Sequence, residues 1–402
     1  MTKHFLIVGA GQAGQALAGK LRALDDDCAI TLIGEEPVPP YQRPPLSKKY
    51  LLGEMAVERL YLRPESWYDE NRIALRLGRP VRALDRGAKT VTLGEDVLPY
   101  DGLALATGAV PRRLPAAIGG ELDGVYTVRS LADVDAMAPE FAAGRRLLVV
   151  GGGYIGLEAA AVAARRGLQV TVLEAAPRIL QRVAAPETSD YFRAAHAAEG
   201  VDIRENCGLE ALLGEGRVGS ARLSDGSTLE VDFVVVGVGI TPDTALAEAA
   251  GLEIDNGIRT DSHCRTSDPS IWAAGDCASF PGPAGRLRLE SVGNAIDMAE
   301  CAAANMAGRP QDYVPAPWFW SDQFDIKLQI AGLSTGYDRI VIRDTPPGRS
   351  HWYYAGDRLI AVDAMNDSRA YMIGKRLIEA GRSPDPAVIA DPEADLKPLL
   401  KA

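Results

Sequence analysis

Two glycine-rich loops of one design constrain this chain more than any other feature. Residues 5–8 form a short apolar, β-rich run that ends at Gly9-Ala10-Gly11-Gln12-Ala13-Gly14. A helix is expected over residues 15–24 and a second strand over 29–33, with the acidic Glu35 lying 26 residues past Gly9. The design repeats: residues 147–150 lead into Gly151-Gly152-Gly153-Tyr154-Ile155-Gly156, a helix over 157–166, a strand over 169–173, and Glu174, 23 residues past Gly151. A lone GxGxxG is weak, because glycine turns are common. Two complete strand, loop, helix, strand and acid units in one chain are hard to explain without nucleotides. The glycines let the backbone approach a pyrophosphate whose charge sits at a helix N-terminus, and the acid accepts from ribose hydroxyls. Two loops imply two dinucleotides, and FAD with a nicotinamide cofactor is the pairing that has electrons to exchange.

The runs 103–108 (LALATG) and 271–276 (IWAAGD) flank the second unit and read as outer strands of one domain, with Asp276 at a strand end, where open α/β sheets place ligands. The simplest topology inserts the second Rossmann unit into the first. We therefore expect an α/β fold of two Rossmann-like domains plus a small α+β C-terminal domain. The expected boundaries are 1–113 and 242–312 for the outer (FAD) domain, 114–241 for the inserted (NAD) domain and 313–402 for the C-terminal domain. In the last, residues 318–320 (WFW), alternating runs at 340–343, 352–354 and 359–364, and a helix near 371–380 suggest an antiparallel sheet.

Glycine is enriched, with 41 copies in 402 residues, which suits chains that must approach a ligand closely. The net charge of −11 excludes a molecule-wide field for nucleic acid or anionic lipid, so an acidic partner would have to meet a local basic patch. The five cysteines (Cys28, Cys207, Cys264, Cys277, Cys301) show no CxxC spacing, and the four histidines show no metal spacing. No apolar run reaches membrane-span length, and residues 5–8 are too few for a signal sequence. These features suit a cytosolic protein without metal.

At this point the motifs resemble the pyridine nucleotide-disulfide oxidoreductases, and more narrowly the ferredoxin reductases of bacterial oxygenase systems. The strings that carry the resemblance are YQRPPLSK (41–48), LATG (105–108), GGGYIGLE (151–158), AGDC (274–277), ESV (290–292) and PWFWSDQ (317–323). The resemblance implies that FAD is held by Gly9, Gly11, Ala13, Gly14, Glu35, Arg43, Lys48, Val81, Thr107, Gly108, Arg129, Asp276 and Val292. It implies that NAD(H) is held by Gly151, Gly153, Ile155, Gly156, Glu158, Glu174, Arg182, Gly239 and Glu290. Lys48, Glu158 and Trp320 are the catalytic candidates, with Glu158 paired to Lys48. Glu174 also disfavours a 2′-phosphate by charge, so NADH is expected over NADPH, although Arg178 and Arg182 stand nearby.

One absence is informative. Disulfide reductases of this fold carry a redox cysteine pair after the first Rossmann unit, and residues 43–48 contain no cysteine. Electrons must leave the flavin by another route. By resemblance, that route is one electron at a time to a two-iron, two-sulfur ferredoxin serving a cytochrome P450 or Rieske oxygenase. The ferredoxin would dock near Trp320 through local arginines, on a monomer or homodimer. Rival readings are an NADH oxidase, a rubredoxin or quinone reductase, and an NADH-responsive flavoprotein switch. Each singled-out residue also has a plain structural alternative: Lys48 as a surface lysine, Glu158 as a helix N-terminal carboxylate, Trp318 and Trp320 as core aromatics, Cys277 as a small buried residue, and Arg43, Arg112 and Arg113 as solvated charges.

Overall fold

The computed structural model describes residues 2–282 and 285–401. The chain divides into two compact units, one of residues 1–43, 56–110 and 241–317, the other of 44–55, 111–240 and 318–402.

The first unit is built on a five-stranded parallel sheet in the order Ile271–Ala273, Gly102–Leu105, His4–Val8, Ala29–Ile33, Ile73–Arg76. Its central strands are apolar at almost every position because both faces are covered, and Leu6, Ile7, Leu32 and Leu103 are fully buried. The two runs expected to be outer strands, at 102–105 and 271–273, pair with each other in this sheet, although the second follows the first by some 170 residues. The helices Gln12–Leu24 and Val292–Met306 pack together in this unit through alanine-rich faces. Such faces let helix backbones come close.

The second unit repeats the plan with a parallel sheet in the order Asp202–Glu205, Gln169–Glu174, Arg146–Val150, Phe233–Val236, Val125–Thr127. The expected helix begins three residues earlier than the sequence suggested, at Tyr154–Arg165, because Tyr154 is the first residue past the glycine turn with helical backbone. The same unit carries an antiparallel sheet in the order Trp318–Gln323, Ile326–Gly332, Arg358–Met365, Gly348–Ala355, Arg339–Thr345, backed by the helix Ser368–Glu379. Asp367 caps that helix by accepting from Ala370 N–H at 2.9 Å. Along Trp318–Gln323 the pleat alternates: Trp318, Trp320 and Asp322 face one way, while Phe319, Ser321 and Gln323 face the other, and Ser321 and Gln323 are fully buried.

Candidate functional site

The two glycine loops have the same geometry. In the first, Gly9 N–H donates to Ile33 O at 2.8 Å and Ala106 N–H to Val8 O at 2.7 Å; in the second, Gly151 N–H donates to Leu173 O and Gly237 N–H to Val150 O, both at 2.8 Å. Gly9 (φ +112°) and Gly151 (φ +107°) have backbones that side chains rarely adopt, and a Cβ there would lie 2.0 Å from Ala106 O or 2.5 Å from Gly237 O. The last glycines, Gly14 and Gly156, press on the first: a Cβ would meet Gly9 O at 1.9 Å and Gly151 O at 2.2 Å. The middle glycines are different in kind. A Cβ on Gly11 or Gly153 would meet nothing within 4 Å, so each loop leaves an open cradle in front of a helix N-terminus. That is the fit a pyrophosphate requires.

The acids differ in their surroundings. Glu174 is half-buried and accepts from Gly152 N–H and Ala176 N–H, both at 2.8 Å, which tethers its carboxylate to the second loop. Glu35 is exposed at the end of the corresponding strand. Its neighbour Glu36 is committed to the protein, accepting from Tyr41 OH at 2.7 Å and from Arg43 Nη2 at 2.7 Å. Burial opposes the charge of Arg43, but Tyr41, Glu36 and the nearby Asp276 together raise its pKa, so it stays a cation among anions.

Other expected FAD residues of the first unit lie at turns and helix ends. Thr107 donates through Oγ1 to Asp243 O at 2.6 Å, Gly108 has φ +75°, Val81 packs against the core, and Val292 opens a helix capped by Ser291. Ala13 is buried at the second position of the first helix. Glu290, expected at NAD(H), is on the first unit and pairs with Arg288 at 2.7 Å. Lys48 and Arg129, expected at FAD, are on the second unit, where Arg129 N–H donates to Asp133 of the following helix. Arg112 and Arg113 are exposed.

The second unit brings its expected residues together at two places. Beside the glycine loop, Ile155 is 43% exposed, and the exposed Arg182 places a guanidinium nitrogen 3.6 Å from where a Cβ of Gly239 would be. Arg178 is tied down instead, donating to Ser189 Oγ at 2.6 Å.

The other gathering centres on Glu158. Its carboxylate, 4% exposed, meets Lys48 Nζ at 2.9 Å, and Lys48 also donates to Pro44 O at 3.3 Å. Ser47 and Ser321 donate to its two oxygens at 2.7 Å each. Burial raises the Glu158 carboxyl on balance, and Lys48, Ser321 and Ser47 offset only part of that rise. Lys48 is thus held in an ion pair, not solvated as a surface lysine, and Glu158 is more than a helix-end charge.

Ser47 and Ser321 were not singled out from the sequence. A small polar residue on the inward face of an otherwise apolar strand is the signal that could have found Ser321. Trp318 and Trp320 stack with centroids 5.5 Å apart and half-buried rings, so they are neither core nor free. With Lys49, Arg165 and Lys327 they line a cleft of about 590 Å³ that reaches Lys48 and Glu158.

Residues 3–299 match the family described as Pyridine nucleotide-disulphide oxidoreductase, and residues 318–400 match Reductase C-terminal. The chain belongs to the pyridine nucleotide-disulphide oxidoreductase family. This family uses FAD and NAD(H), in keeping with the two cradles. Within it, the chain is 42% identical to rhodocoxin reductase of Rhodococcus erythropolis, over 98% of this chain and 93% of that protein. It is also 42% identical to the 5,5'-dehydrodivanillate O-demethylase ferredoxin reductase subunit of Sphingobium, over 99% of each. Among solved structures it is similar to a covalent putidaredoxin reductase–putidaredoxin complex, with TM-score 0.95 and 40% identity over 99% of this chain and 98% of that one.

The chain has five cysteines. All five are free and buried, and none lies in residues 43–48, where the Lys48–Glu158 pair stands instead. Cys277 is fully buried, as expected of a small apolar residue. Among the described residues no cluster of His, Cys, Asp or Glu could hold a metal, and no helix is long and apolar enough to cross a membrane.

Proposed function

We propose that this protein is an FAD-dependent NADH:ferredoxin reductase, passing electrons from NADH to a two-iron, two-sulfur ferredoxin that serves a cytochrome P450 or a Rieske oxygenase. The observation that carries the reading is that similarity to ferredoxin reductases runs through the whole chain, including residues 318–400, while residues 43–48 hold no redox cysteine. Bound FAD supplies the exchange between a two-electron hydride donor and a one-electron acceptor.

The chain's own part is binding, orientation and charge. The Gly9–Gly14 loop and Glu35 would hold the adenosine half of FAD, and the Gly151–Gly156 loop and Glu174 that of NADH. Glu174, fixed by two backbone donors, repels a 2′-phosphate, and Arg178, engaged by Ser189, is poorly placed to welcome one. Both support NADH over NADPH. Lys48 contributes a half-buried positive charge whose position is set by Glu158, suited to compensate negative charge without moving a proton.

Partner docking is proposed at the cleft beside Trp318 and Trp320. Lys49, Arg165 and Lys327 are exposed cations on a chain of net charge −11, against Glu54 and Asp322 on the same rim. The rim is therefore two lysines and one arginine, where arginines alone were expected. Charge of this kind acts mainly on encounter rate and salt dependence. Five buried free thiols suit a reducing compartment, and we place the protein in the cytosol.

The test is NADH consumption by the purified yellow protein in air, and then with a two-iron ferredoxin encoded beside it. Slow oxidation in air with a large, saturable rise on adding the ferredoxin, and concurrent cluster reduction, supports the proposal. Rapid consumption in air with no response to that ferredoxin indicates an oxidase, or an acceptor such as rubredoxin or a quinone.

A further inference from the structure

Behind Glu158 a buried hydrogen-bond chain runs through the second unit to a histidine. Ser321 Oγ lies 2.7 Å from Glu158 Oε1, Gln323 Nε2 lies 3.1 Å from Ser321 Oγ, and Gln323 Oε1 lies 2.8 Å from His196 Nε2. Ser321, Gln323 and His196 are all fully buried.

The direction of the chain follows from its end. A carboxylate accepts only, so Ser321 donates its proton to Glu158 and must accept from Gln323. The amide NH2 therefore faces Ser321, its oxygen faces His196, and His196 carries its proton on Nε2. His196 Nδ1 has no partner among the described residues, and its ring packs edge-on against Phe324 at 4.8 Å. Burial lowers the pKa of His196, which keeps the ring neutral. Every donor in the chain thus points toward Glu158. For Glu158 to take up a proton and donate to Ser321, the serine, the amide and the imidazole tautomer would all have to reverse together.

We propose that Gln323 and His196 are positioning residues that act through Ser321 to hold Glu158 as an anion, and so to hold Lys48 in place as a cation. Three further groups bear on Glu158. Ser47 donates to its other oxygen, Lys48 supplies the opposite charge, and the half-buried Tyr154 lies on the same helix one turn earlier, its pKa raised by burial first and then by the charges of Asp363 and Glu158. Lys49, Arg165 and Asp322 line the same cleft with their charges in solvent. None of these reaches Ser321, so the direction of its hydroxyl rests on Gln323. The inference rests on the proposed role of Lys48 and Glu158 only where it touches NADH; the state of the carboxyl can be read without it.

The experiment compares the holoprotein with Gln323→Met, which keeps length and loses the donor, and His196→Leu, which frees the amide to turn. The first readout is the carboxylic-acid C=O band in infrared pH-difference spectra, assigned to Glu158 by its loss in Glu158→Gln. The second is the pH profile of NAD⁺ binding. Freeing the Ser321 hydroxyl to turn away from the carboxylate should raise the midpoint of the Glu158 band by up to about one pH unit in Gln323→Met, and by less in His196→Leu. The binding profile should move with it. An unmoved band in a folded variant, whatever its thermal stability, overturns the proposal and leaves the chain a packing feature. If Gln323→Met does not fold, His196→Leu decides alone by the same criterion. A moved band with an unmoved binding profile upholds the chain and counts against the proposed role of Glu158 at NADH.

Discussion

Replacing Gly153 by alanine should leave stability nearly unchanged and make the protein worse at binding NADH. Gly153 is the helix N-cap, with φ −83° and ψ 177°, an extended backbone open to any residue, and an added Cβ meets nothing within 4 Å. With no strain and no clash, the methyl restricts the unfolded chain, worth ~0.4–1 kcal/mol of added stability, which offsets a loss of similar size from placing alanine at an N-cap. The same methyl stands where the backbone must approach a pyrophosphate. Losing one charge-assisted hydrogen bond there costs about 1.5–3 kcal/mol, which is roughly a 10- to 150-fold rise in Kd for NADH. The assay pairs a denaturant midpoint taken without nucleotide with an NADH titration and a flavin-to-protein ratio. Stability should change little, NADH binding should fall, and flavin content should stay constant. Unchanged NADH affinity would refute the open cradle as the NADH site, and lost flavin would mean that the two loops are exchanged. Gly156→Ala is the counter-case: its Cβ would lie 2.2 Å from Gly151 O, so it should lower stability outright.

Glu174→Ala should raise the Kd for NADH at least about tenfold, by loss of ribose hydrogen bonds, and the Kd for NADPH by less; equal losses for both nucleotides would remove Glu174 as the discriminating group. Trp320→Ala should leave the protein folded, since the ring is half-buried, and slow reduction of added ferredoxin under stopped flow; unchanged rates with lowered stability would make it a packing residue. Asp363 makes a pH prediction. It is buried beneath Tyr353 and Thr188, which donate to its Oδ2, and burial pushes its carboxyl up to about 6 in spite of them. The folded state then binds the proton more tightly than the unfolded one, so this contribution to stability is present below pH ~4 and lost as pH rises through about 6. Asp363→Asn should therefore gain stability relative to the natural protein between pH 5 and pH 8, by up to about 3 kcal/mol; a difference independent of pH would show that the carboxyl does not titrate there.

The loops and their flanking elements were legible in the sequence because they obey local rules. A strand ending in glycines, a helix and an acid at a set distance form a contiguous unit, and the expected limits 15–24, 29–33 and 169–173 differ from the observed 12–24, 29–33 and 169–174 by three residues or fewer. That residues 102–105 and 271–273 share one domain was also legible, from two similar apolar runs flanking an insertion, but that they lie side by side was not. The surroundings of Glu158 were legible only in part. Lys48 was named as its partner from the motifs, but Ser47, Ser321, Gln323 and His196 were not, and neither was the arrangement of Thr188, Tyr353, His351 and Asp363. In that second cluster, Thr188 donates to Asp363 and accepts from His351 Nδ1 at 2.8 Å, while Arg349 donates to His351 Nε2 at 3.1 Å.

Local residue order was enough to give the pair of nucleotide cradles, since backbone approach and helix-end charge depend on residues adjacent in the chain. The electrostatic surroundings of the groups beside them came only from long-range folding. Glu158 and Ser47 are 111 residues apart, and Glu158 and Ser321 are 163 apart. A carboxylate buried without those donors would be driven further toward neutrality; Ser47, Ser321 and Lys48 oppose that drive. Burial and partnership of that kind are set by folding, which brings distant segments into contact, and no local pattern of residues encodes them.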